Sequence, residues 1–90
     1  MPSLNRIIRD FIARIEEIRH EDWDTDCIRE IISLATTGEN TIINWLEAPS
    51  NQQNVEYRFW RRRQRQFITY FQQAKSEAES RYARIPVYNR

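Results

Sequence analysis

The chain has 90 residues, 40% of them hydrophobic and 12% aromatic, which suits one small domain with a single core. One Gly and three Pro beside abundant Ile, Arg and Glu argue for helices with short connections. A lone cysteine, Cys27, excludes an intrachain disulfide framework, and no uncharged run reaches the ~18 apolar residues of a membrane span. Met1–Leu4 lacks a basic n-region, so a soluble, cytoplasmic protein is expected.

The net charge of +1 hides an uneven distribution. Residues 1–20 carry four Arg against three acids, residues 21–50 one Arg against seven acids, and residues 51–90 nine basic groups against three acids. The three segments therefore hold +1, −6 and +6. Lys75 is the sole Lys, and a bias towards Arg favours planar pairing with phosphate or carboxylate.

In chain order, Ser3 precedes an amphipathic helix in which Leu4, Ile7, Ile8, Phe11, Ile15 and Ile18 share one stripe. Asp22, Asp24 and Asp26 follow at alternate positions. They do not make a calcium loop, because Cys27 stands where the turn needs Gly and Ser33 where a bidentate Glu is required. Their expected work is to cap and charge-complement the next helix. That second helix is expected over residues 24–36, ended by Thr37-Gly38. A short helix follows at residues 39–48, burying Ile42, Ile43, Trp45 and Leu46, and Pro49-Ser50-Asn51 breaks the chain.

Residues 52–82 contain no Gly or Pro and predict one helix of ~45 Å. Trp60, Phe67, Phe71, Ala74, Ala78 and Tyr82 form its apolar seam. Arg58, Arg61, Arg62 and Arg65 lie opposite, continued by Thr69, Gln72 and Ser76. Residues 84–90 read as an extended apolar tail. The expected fold is all-α: a single domain, 1–90, of three main helices with a long C-terminal one, plus a short helix, with a homodimer as the expected assembly.

Catalytic chemistry finds little purchase. His20 and Cys27 are seven residues apart across an acidic turn, which raises a thiol pKa and disfavours a thiolate. No Gly-rich phosphate loop and no metal-spaced His/Cys cluster is present, so no enzyme, cofactor or metal is expected. The stretch IISLATTGENTIINWLEA loosely resembles a helix-turn-helix. Its reading positions, Glu39, Asn40, Thr41 and Asn44, offer no base, and phosphate would repel that acidic segment.

The arginine stripe carries the functional expectation. Spacing of i, i+3, i+4 and i+7 gathers four like charges, which an anion would offset. A phosphate backbone does so by counterion release and bidentate pairing, and the following Thr69, Gln72 and Ser76 suit shape-based binding of duplex RNA or DNA. The alternatives are a solvated face, or one paired with the chain's own acidic segment. The second functional class is a protein-binding regulator or adaptor, acting through the aromatic surface and tail. Self-pairing of the seam, closely approached at Ala74 and Ala78, is the expected homodimer interface. Lying on an anionic membrane is a weaker option, since the apolar face is needed for the core.

In plan the chain is similar to the dimeric helical suppressors of RNA silencing of nodaviruses. The order Glu16-Glu17-Ile18, Arg29-Glu30-Ile31, Tyr57-Arg58-Phe59 is similar to that of lentiviral Vpr/Vpx adaptors, without their His/Cys zinc set. Neither likeness includes signature residues, and the expectations above rest on the residues alone.

Overall fold

Helix ends in this chain are set by local chemistry. In α1, Leu4–Arg19, the Ser3 hydroxyl accepts from the Arg6 amide at 3.2 Å, and the Glu21 amide closes the far end onto the Ile18 carbonyl. Asp24 caps α2, Thr25–Glu47, accepting from the Cys27 amide at 2.8 Å, with Asp26 in the positive first turn. Pro49 lies just past α2, and Pro49–Gln53 forms a 3-10 turn whose Asn51 amide group donates to the Trp45 carbonyl. The third helix, α3, spans Tyr57–Arg84. The computed structural model describes residues 3–21 and 23–89, and among these there is no strand.

The expected break at Thr37-Gly38 does not occur. A Gly ends a helix by taking a positive φ, and no glycine here has one. Gly38 instead lies buried inside α2, where an added Cβ would sit 2.5 Å from Cζ of Phe71. Its missing side chain lets the Phe71 ring rest on the α2 backbone. The second helix and the short one expected after it are thus a single helix of 23 residues. This also removes the turn that the helix-turn-helix likeness required.

Two boundaries of the long helix move as well. Residues 52–56 precede it rather than belong to it, because the Asn54 side chain accepts from the Glu56 amide and holds a turn there. At the other end α3 continues to Arg84, and Val87–Asn89 make a 3-10 turn, so the tail is not extended. Val87 and Tyr88 are exposed, whereas Ile85 packs on the core.

The helices lie side by side in a rod of 51 × 18 × 17 Å, with α2 packed against both of the others. Ile8 and Ile15 of α1, Ile31 and Ile42 of α2, and Trp60 and Phe71 of α3 are fully buried. Each such side chain contributes on the order of 1.5–3 kcal/mol. Polar contacts fix α1 lengthwise. Arg14 grips Glu30 of α2 with Nη2 at 2.8 and 2.9 Å from its two oxygens, and Arg19 reaches Glu77 of α3 at 3.4 Å. The Tyr70 hydroxyl of α3 donates a short hydrogen bond to Glu16.

The seam expected to pair with a second copy is occupied from within. Trp60, Phe71 and Ala78 have no exposed surface and Ala74 is 5% exposed; only Phe67 and Tyr82 remain half-buried. The uninterrupted α2 is the reason, since it covers the length of seam that α1 is too short to reach.

Two measurements test this packing. Overpacking at Gly38→Ala costs about 1–3 kcal/mol, more than the ~1 kcal/mol Ala gains in helix propensity, so denaturant unfolding should show a net loss. Combined with Phe71→Leu, the loss should be smaller than the sum of the two single changes. Burial, followed by the Glu16 carboxylate, pushes the Tyr70 phenol above its ordinary value of 10.0. The unfolded chain therefore loses this proton first. The stability contributed by Tyr70 is present below about pH 10 and lost above it, and Tyr70→Phe should remove that share of the alkaline decline.

Candidate nucleic-acid interface

Arg58, Arg61, Arg62 and Arg65 all lie exposed on the side of α3 turned away from the core. Seven residues separate the first from the last, or about 11 Å of helix rise. Among the described residues none of the four guanidinium groups meets a carboxylate. The ion pairs present there are Arg14 with Glu17 and Glu30, and Arg19 with Glu16 and Glu77.

The nearest acid in sequence, Glu56, is engaged in the opposite direction. Its Oε2 accepts from the Asn5 amide in the first turn of α1 at 3.2 Å and from Nε1 of buried Trp60 at 3.3 Å. Three acids of the middle of the chain are engaged too. Asp24 caps α2, Glu30 holds Arg14, and Glu39 accepts from the Gln72 amide at 3.0 Å. The stripe is therefore not neutralised by the segment whose charge balances it in the total.

The polar continuation of the stripe is only partly free. Thr69 and Ser76 are exposed, but the Gln72 amide is held by Glu39, which also brings a negative charge beside the line. The line of exposed groups without a partner acid on α3 thus runs from Arg58 to Thr69.

One basic residue escaped the helical-face reading. Arg63 projects away from the stripe and its guanidinium stacks over the Phe59 ring, 4.5 Å from the centroid. An aromatic residue four positions before an arginine is the signal that could have found it. Arg81 makes a similar contact with Trp23 at 3.9 Å, tying α3 to the turn between α1 and α2.

The residues weighed for catalysis are otherwise occupied. His20 closes the end of α1, and the Cys27 thiol lies 3.9 Å from a Glu21 oxygen. Burial, then Asp24, raises the Cys27 pKa, so the thiol holds its proton. Of the three alternating aspartates, Asp22 lies outside the described residues. Among those described, no group of three His, Cys, Asp or Glu side chains could hold a metal ion. No helix among them is long and apolar enough to cross a membrane.

Removing the Glu56 carboxylate tests how α1 and α3 are joined. Glu56→Ala leaves the Trp60 indole N–H buried without an acceptor, which costs about 1–3 kcal/mol. Glu56→Gln keeps an acceptor and should lose less, both read by thermal unfolding.

Comparison with family models, curated proteins and solved structures finds no match to this chain.

Proposed function

We propose that the chain is a non-enzymatic protein that binds duplex RNA or DNA by gripping phosphates with Arg58, Arg61, Arg62 and Arg65. The observation that supports this most directly is the lack of any internal carboxylate opposite the four groups among the described residues. Four cations this close repel one another, and a polyphosphate relieves the repulsion while releasing its own counterions. The helix fixes the spacing of the four groups, and the planar fork of each Arg limits the rotamer freedom lost per hydrogen bond formed. Thr69 adds a hydroxyl able to meet a phosphate or ribose oxygen. Guanidinium groups followed by a hydroxyl on one straight helix suit a contact that follows backbone shape rather than sequence.

Titrating duplex RNA, duplex DNA and single strands by gel shift across a range of salt tests the proposal. Log K should fall linearly with log salt, and each Arg→Ala in the stripe should remove about one unit of slope. Duplexes should bind more tightly than single strands. If no nucleic acid binds at low salt, or if Arg61→Glu/Arg62→Glu leaves binding unchanged, the proposal fails and the adaptor reading replaces it.

A further inference from the structure

Beside the stripe, and independent of it, an apolar trough runs between α1 and α3. Two adjoining cavities form it. One, of about 380 Å³, is lined by Arg9, Ile12, Ala13 and Phe67. The other, of about 330 Å³, is walled by Phe59 and Val55 and shares Arg9 with the first. From Asn5 to Ala13 on one helix, and from Phe59 to Phe67 on the other, the trough extends about 12 Å. That length accommodates two turns of a further helix with anchors at i, i+4 and i+7.

Its charge is net positive, with Arg9 and the adjacent Arg63 against Glu56. Arg9 is oriented by donating Nε to Asn5 Oδ1 at 3.1 Å, and among the described residues its terminal nitrogens meet no acceptor. Arg63 is oriented by the Phe59 ring and has no ion pair among the described residues. The one acid in the lining, Glu56, already accepts from the Asn5 amide and the Trp60 indole. The aromatic rings do not offer a platform for bases. One face of Phe59 carries the Arg63 guanidinium, and Phe67 leans on Trp60 with centroids 4.9 Å apart. What remains accessible is aliphatic surface and ring edges, which suit branched aliphatic side chains.

We propose that this trough docks an amphipathic helix of a partner protein, with aliphatic anchors along one side and Asp or Glu beside them that pair with Arg9 and Arg63. Both guanidinium groups are held in place before binding by contacts within their own helices, so little ordering remains to be done on docking.

The test is a displayed library of helical peptides with apolar residues fixed at i, i+4 and i+7 and random flanks, selected against the whole chain. Selection should enrich acidic flanks. An enriched peptide, synthesised and measured by fluorescence anisotropy, should bind Arg9→Glu/Arg63→Glu at least about tenfold more weakly, or about 1.4 kcal/mol. The milder Arg9→Gln/Arg63→Gln should show a smaller loss, and circular dichroism should confirm that both variants fold. Arg29→Glu/Arg84→Glu makes the same change of charge elsewhere and should leave the affinity intact. Enrichment without acidic flanks overturns the proposal, as does equal weakening by the remote pair. Loss of duplex binding in place of peptide binding would assign the trough to nucleic acid instead.

Discussion

The ring of Phe71 lying on the backbone of Gly38 sets how closely α2 and α3 approach, and much of the molecule follows from that distance. Any side chain at position 38 would force the two longest helices apart, because the ring atoms stand 2.5–2.8 Å from where a Cβ would be. With the contact made, α2 runs unbroken along α3 and the indole of Trp60 is fully enclosed. Every large apolar group on the inner side of α3 is then held by the same chain. The outer side keeps only charged and polar groups, presented on a helix that cannot bend away from its support.

Charge is arranged around the same frame. Four acids of α2 and of the linkers beside it are engaged: Asp24 in capping, Glu30 and Glu56 in joining helices and Glu39 in holding the Gln72 amide. Each lies where a backbone N–H, an indole, a side-chain amide or a partner guanidinium meets it. The arginines of the stripe have no such structural duty. No ion pair among the described residues demands their positions.

How much of this was legible in the sequence depends on the range of the interaction concerned. The caps at Ser3 and Asp24, the apolar stripe of α1 and the two faces of α3 depend on neighbours within one or two turns, and they read directly. Gly38 did not, because its partner Phe71 is 33 positions away and a glycine between two polar residues has the look of a helix terminus. That single misreading divided α2, and a divided α2 left the seam of α3 apparently uncovered. The expectation of a self-pairing surface rests on the seam being longer than α1 alone can cover. The start of α3 falls later than apolar spacing implies for a smaller reason: the turn that Asn54 imposes is a side-chain hydrogen bond, invisible to a count of apolar spacing. The four stripe arginines read correctly as one exposed face, whereas Arg63 and the trough needed α1 to be placed beside α3 before they could be seen.

Unopposed guanidinium groups have a cost in the free protein that dissolved ions can lift. At 0.1 M ionic strength the screening length is about 10 Å, close to the length of the stripe itself. Added salt therefore relaxes the strain of like charges and firms the isolated fold, whereas the same ions would loosen the polyanion grip proposed for the stripe. Folding and the proposed binding would then respond to one electrolyte with opposite signs.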